Sequence, residues 1–231
     1  MRINTGSILK QFDANLEKYK LLADSVKYEL IKAIKNQGIK THTISYRIKE
    51  PDSIISKIRR KNIENPFEQI HDIVGFRVVC LFLTDLDEIK NIIYENFDVF
   101  EEDDKINDTE LNIFGYMSLH LKCRLKPSDD KYYCKEIKES LYEIQVDKSV
   151  EEKIINVPFE IQVRTIAQDA WASISHYLDY KKNSVIPEQL KRDFHALSGL
   201  FYVADTHFSI LRKEQSHIFF EKKTKLSTTI R

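Results

Sequence analysis

The sequence predicts an α+β protein: a mixed β-sheet carrying helices, flanked by long N- and C-terminal helices. Three observations predict it. The N-terminal stretch repeats apolar residues at helical spacing. The middle alternates short β-branched and aromatic runs with polar or helical segments. The C-terminal stretch carries a heptad seam.

The elements follow in order. Leu9, Phe12, Leu16, Tyr19, Ala23, Val26, Leu30 and Ala33 form one apolar stripe, and Gly38 is a plausible stop. Thr41 to Ile48 reads as extended. Pro51 sits near the start of a second helix with Ile54, Ile55 and Ile58 inward. Ile73 to Leu83 is the clearest strand; apolar on both faces, it belongs inside a sheet. Thr84 is expected to cap a helix running to about Asn96, followed by a strand near Phe97 to Phe100. Asp103 to Asn112 reads as irregular. Tyr116 to Leu125 and Val157 to Val163 alternate like strands, and Ser128 to Asn156 fits an inserted hairpin or short helix. Thr165 opens a helix to about Lys181, and Pro187 opens the last one. In that last helix Leu190, Phe194, Leu197, Phe201, Ala204, Phe208 and Leu211 alternate spacings of four and three, with a frayed tail expected from Glu221. The seam either packs on the first helix or joins copies of the chain. The expected division is a helical arm over 1–38, a central domain over 39–185 and a second arm over 186–231.

Composition narrows the function. Hydrophobic residues make up 42% and charged residues 31% of 231 residues, as in a globular protein. Lys plus Arg and Asp plus Glu are 36 each, so a basic nucleic-acid coat is not indicated. Cys80, Cys123 and Cys134 lack C-x-x-C spacing and their odd count argues against a disulfide framework. Cys80 and Cys123 read as buried free thiols. There is no apolar leader and no membrane-length apolar run, so the expected location is the cytoplasm.

Only five glycines are present, and no Gly-rich phosphate loop. A triphosphate would have to be held by cationic side chains and a metal. Arg47, Lys49, Lys57, Arg59, Arg60 and Lys61 supply a dense basic set, read either as solvated surface or as a phosphate grip. Arg77 lies inside an apolar strand and needs an ion-pair partner or a ligand. His71-Asp72 at the head of that strand reads as incidental for metal when taken alone. Tyr116, Ser118 and His120 share one strand face, and so do Glu160, Gln162 and Arg164. Each polar face is either solvent-facing or the floor of a site. Trp171 reads as core.

Together these stretches resemble the synthetase domain of the RelA/SpoT alarmone family over roughly residues 40 to 182. The matching pieces are Arg47-Ile-Lys49 with Ser53 and Lys57, then Asp72-Ile-Val-Gly-Phe-Arg77, Gly115-Tyr-Met-Ser-Leu-His120 and Glu160-Ile-Gln-Val-Arg-Thr165. The last continues through Gln168, Trp171-Ala172, His176 and Tyr180-Lys181. The resemblance implies a nucleotidyltransferase-like fold. It implies transfer of the β,γ-pyrophosphate of ATP to the 3′-hydroxyl of GDP or GTP, making the (p)ppGpp alarmone and AMP. By resemblance Arg47 and Arg77 sandwich the adenine, and Lys49, Ser53 and Lys57 hold the ATP phosphates. Asp72 and Glu160 bind Mg²⁺, and Glu160 helps deprotonate the attacking hydroxyl. Tyr116 stacks on the acceptor base, with His120, Gln162 and Arg164 lining that site. Small members of the family form oligomers, so a homo-oligomer, tetramer or dimer, is expected.

One departure opens an alternative. Alarmone makers usually carry Lys and Asn before the Gly-Tyr of the acceptor loop, where this chain has Asn112-Ile113-Phe114. Stand-alone toxic members modify the 3′ end of tRNA, and some have a Phe-Gly-Tyr loop like Phe114-Gly115-Tyr116. A second alternative is a catalytically silent nucleotide-binding or assembly module, which the intact Asp72 and Glu160 argue against.

Overall fold

The computed structural model describes residues 5–107, 115–127, 133–137, 140–144, 153–180 and 188–229. Asn112, Ile113, Phe114, Lys181 and Pro187 lie outside the described residues. A five-stranded mixed sheet forms the centre, with strand order β1-β2-β7-β4-β3. The strands are β1 (Thr41–Ile48), β2 (Val74–Cys80), β3 (Phe97–Asp104), β4 (Leu119–Leu125) and β7 (Phe159–Thr165). Only β2 and β7 pair in parallel. A separate antiparallel pair, β5 (Tyr133–Ile137) and β6 (Ser140–Ile144), supplies the hairpin expected between residues 128 and 156.

One sheet face is sealed by helices. Helix α1 (Thr5–Asn36) runs its stripe into the core: Phe12, Tyr19, Ala23, Val26 and Leu30 are buried, joined by Leu22 and Ile34. It ends before Gly38, whose φ of +71° lies in the left-handed region that glycine adopts without penalty. Under it, Phe159 meets Phe76 and Phe97 edge-to-face at 5.5 and 5.6 Å. Helix α2 (Pro51–Lys61) buries Ile54, Ile55 and Ile58, as expected, and is followed by the short α3 (Pro66–Gln69). Cys80 and Cys123 are buried free thiols.

Several boundaries differ from the sequence reading. β2 stops at Cys80 rather than Leu83. Its second face is not closed by apolar contacts; Gly75 and Arg77 stand there half-buried. Thr84 is not the cap of α4 (Thr84–Asn96): Leu83 holds that position, without a side-chain cap. The Thr84 hydroxyl instead accepts a hydrogen bond from Arg212 at 3.0 Å. β3 runs on to Asp104, because pairing with β4 overrides the low strand propensity of its acidic end. β4 begins at Leu119, not Tyr116, and β7 spans Phe159–Thr165. Thr165 ends that strand and caps α5 (Ile166–Tyr180). Its Oγ1 accepts from Gln168 N at 3.2 Å while Gln168 Oε1 accepts from Thr165 N at 3.0 Å, a reciprocal capping box.

Helix α6 (Glu188–Thr229) continues past Glu221, where no Gly or Pro interrupts it. It packs on α5, so the expectation of packing on the first helix is corrected. Ser198, Asp205 and Arg212 on this helix make polar contacts with other elements. Ser198 Oγ donates to Gly115 O at 2.6 Å, Asp205 Oδ2 accepts from Thr165 Oγ1 at 2.5 Å, and Arg212 pairs with the buried Asp85. No helix among the described residues is long and apolar enough to cross a membrane.

Candidate active site

Strand register builds the open face. Neighbours across a sheet point the same way, and two rows result. Arg47, Gly75, Glu160 and Lys122 form one; Ser45, Arg77, Gln162 and His120 form the next. Gly75 matters because it adds nothing: a Cβ there would meet no atom within 4 Å. The space between Arg47 and Glu160 therefore stays open. A cavity of about 290 Å³ fills it, lined by Arg47, Asp72, Gly75, Arg77, Glu160 and Gln162. A second cavity of about 300 Å³ shares Arg47, Arg77 and Gln162 and reaches Tyr116, Arg164 and His176. Of the two polar faces, Glu160, Gln162, Arg164 and Tyr116 line these cavities, while Ser118 and His120 line neither.

Asp72 stands just before β2 between two lysines. Lys49 reaches its Oδ2 at 2.6 Å from the end of β1, and Lys57 its Oδ1 at 2.7 Å from α2. Burial works to raise the Asp72 pKa, but the hydrogen bonds and charges of the two lysines outweigh it and hold the carboxyl below its ordinary value. Lys61, Arg59 and Arg60 stay exposed, so the basic set divides into Lys49 and Lys57 on Asp72, Arg47 on the cavities, and a solvated remainder. Ser53 is exposed in the first turn of α2, one turn before Lys57. His71 Nε2 lies 3.0 Å from the Glu68 carbonyl oxygen, and its ring abuts Phe100.

Glu160 is held differently. Its Oε1 accepts from Gln162 Nε2 at 2.5 Å and from His120 Nδ1 at 3.2 Å. Burial again pushes the pKa up, these two hydrogen bonds outweigh it, and the carboxyl ends below its ordinary value. The nearby Asp72 charge pushes the other way, so the two carboxylates sense each other. His120 Nδ1 faces a carboxylate that can only accept, and its Nε2 lies 3.1 Å from Tyr116 OH. Arg164 Nη2 donates to that same Tyr116 oxygen and to Gln162 Oε1, the latter at 2.7 Å. Arg164, Tyr116, His120, Glu160 and Gln162 therefore close a ring of hydrogen bonds. Arg164 Nε also donates to the fully buried Ser118 hydroxyl at 3.0 Å.

The sequence-predicted residues come together, apart from the exposed Ser53. Three contributors were missed. Asp169, in the first turn of α5, lies 3.2 Å from both Arg77 and Arg164. Ser198 and Asp205 support Gly115 and Thr165 from α6. The one available signal was the need of Arg77 for a partner. Trp171 is core, donating Nε1–H to Phe194 O at 3.2 Å.

Among the described residues no cluster of three or more His, Cys, Asp or Glu could hold a metal ion alone. Two carboxylates on one cavity do suit Mg²⁺, which takes one or two carboxylates and completes its shell with phosphate oxygens and water.

Comparison with known proteins gives one consistent result. Residues 46–185 match the family described as "Region found in RelA / SpoT proteins". GTP pyrophosphokinase YwaC of Bacillus subtilis (strain 168) is 31% identical over 179 residues, covering 75% of this chain and 74% of that protein. GTP pyrophosphokinase YjbM of the same organism is 28% identical over 230 residues, covering 94% and 96%. The crystal structure of B. subtilis small alarmone synthetase 1 bound to its product pppGpp superposes with a TM-score of 0.67 at 27% identity, covering 89% of this chain and 98% of that one.

Proposed function

This chain belongs to the RelA/SpoT family, and from that premise we propose that it transfers the β,γ-pyrophosphate of ATP to the 3′-hydroxyl of GDP or GTP. The acceptor oxygen attacks the β-phosphorus, the bond from that phosphorus to the α–β bridging oxygen breaks, and AMP leaves. The observation that carries the reading is the pairing of Asp72 and Glu160 on one cavity beside Lys49 and Lys57. Arg47 and Arg77 sit diagonally on β1 and β2 across Gly75. Diagonal neighbours lie about 7–8 Å apart, and a flat ring between two planes needs about twice the ~3.5 Å carbon contact distance. That spacing suits adenine between two guanidiniums. Lys49, Lys57 and Ser53 take the phosphates. Mg²⁺ held by Asp72 and Glu160 would neutralise charge on the transferred group.

Glu160, ionised through the neutral range, accepts the proton of the attacking hydroxyl. Tyr116 offers its ring to the guanine, with His120, Gln162 and Arg164 around it. The tRNA-modifying alternative is not favoured, since the relatives above are GTP pyrophosphokinases. The silent-module alternative is not favoured either, since both carboxylates face the cavity. The enzyme works in the cytoplasm as a homo-oligomer, joined through the outer face of α6, where Leu197, Leu200, Phe208 and Leu211 are exposed. The deciding experiment offers γ-³²P-ATP with GDP, GTP or deacylated tRNA in parallel. Labelled guanosine tetra- or pentaphosphate with stoichiometric AMP is expected. Label on tRNA alone, or no AMP at all, overturns the reading.

A further inference from the structure

We propose that Asp169 is a positioning residue for the ATP half of the reaction, fixing Arg77 by sharing one carboxylate oxygen between Arg77 and Arg164. The proposal rests on the pyrophosphokinase reading above. Its geometry is specific: Asp169 Oδ1 lies 3.2 Å from Arg77 Nη1 and 3.2 Å from Arg164 Nη1. Two guanidiniums brought this close repel, and the carboxylate between them offsets that repulsion.

The two arginines depend on Asp169 unequally. The Arg164 side chain is 4% exposed and has Ser118, Gln162 and Tyr116 as further partners. The Arg77 side chain is 37% exposed. Among the described residues Asp169 is the only side chain that holds it by an ion pair or hydrogen bond. Of these two arginines, Arg77 borders both cavities and Arg164 only one. The anchor itself is stiff. Asp169 follows the Thr165–Gln168 capping box directly, so the carboxylate is set by a helix start locked to the end of β7. A carboxylate in the first turn of a helix is further favoured by the helix dipole.

Removing only the charge should therefore release Arg77 and leave Arg164 in place. Asp169→Asn is nearly isosteric and keeps one acceptor oxygen. Expected is a roughly tenfold rise in KM for ATP, the scale of one lost charge-assisted hydrogen bond, with KM for GTP changed less than about twofold. A nonhydrolysable ATP analogue should lose affinity by a similar roughly tenfold factor, read by calorimetry without turnover. Asp169→Glu should restore part of the loss. In an Arg77→Ala background Asp169→Asn should add nothing.

Unchanged ATP affinity, an equal loss for ATP and GTP, or additivity with Arg77→Ala would each overturn the proposal. A wild-type protein that releases no AMP would instead defeat the pyrophosphokinase reading, and analogue binding would still decide the role of Asp169.

Discussion

The two ends of the site hold their charges in opposite ways. At the end proposed to take ATP, opposite charges touch: Asp72 sits between Lys49 and Lys57 at 2.6 and 2.7 Å. At the end proposed to take the acceptor, Glu160 and Arg164 do not touch, and Arg164 meets Asp169 instead at 3.2 Å. Glu160 and Arg164 are joined through the side chains of Tyr116, His120 and Gln162. Ammonium groups are compact, rotatable point charges and can trade one anion for another. On the proposed reading the lysines would pass from Asp72 to arriving phosphates, which would free Asp72 for a metal. A hydrogen-bonded ring is directional, and each member fixes the next. The first arrangement suits a donor whose triphosphate must be gathered. The second suits an acceptor whose hydroxyl must be aimed.

The largest expected effect tests the members that face each other across the cavity. Asp72→Ala and Glu160→Ala should each cut AMP release on the order of a thousandfold with the fold intact, checked by an AMP assay alongside circular dichroism. Normal turnover in either would erase the distinction between the ends.

Next comes a charge buried under the acceptor end. Burial lifts the Asp205 carboxyl to about 6 although Thr165 donates to it. Between the ordinary value of 3.8 and about 6, the native state keeps a proton that the unfolded chain has lost. Stability therefore falls as pH rises through that window, by on the order of 3 kcal/mol in all. Asp205→Asn keeps an acceptor for Thr165 and should stabilise the protein at pH 8 by up to that amount, with the gain fading toward pH 4. Denaturant melts at both pH values decide it; a gain independent of pH would rule out titration of Asp205 as the cause.

The smallest effect sharpens the contrast most. Tyr116→Ala removes a stacking face worth roughly 1–3 kcal/mol, and should raise KM for GTP about tenfold while leaving KM for ATP near wild type. An equal rise in both would mean that the two ends are not separately built.

Much of this was legible in the sequence because period carries it. The stripe of α1, the isoleucines of α2 and the alternation in β4 and β7 each mark one buried face. The site strands were readable for the same reason: Glu160, Gln162 and Arg164 share a side by parity alone. What escaped depends on residues far apart in the chain. Arg77 plainly needed a partner, but nothing local pointed to Asp169. Thr84 looks like a cap until Arg212 claims its hydroxyl. Acidic Asp103 and Asp104 look irregular until β4 pairs with them. Ser198 and Asp205 carry no signal of their own, since one serine and one aspartate on a helix are ordinary surface residues.

Helix α6 gives these contacts a wider meaning. It lies wholly beyond the matched residues 46–185, yet it grips the carbonyl before Tyr116 and the hydroxyl after Arg164. Relatives that share the central motifs but differ in their last helix would keep those motifs around a differently tensioned Tyr116–Arg164 cavity. Divergence in substrate preference within such a lineage could then accumulate at positions such as 198 and 205, while every motif residue stayed the same.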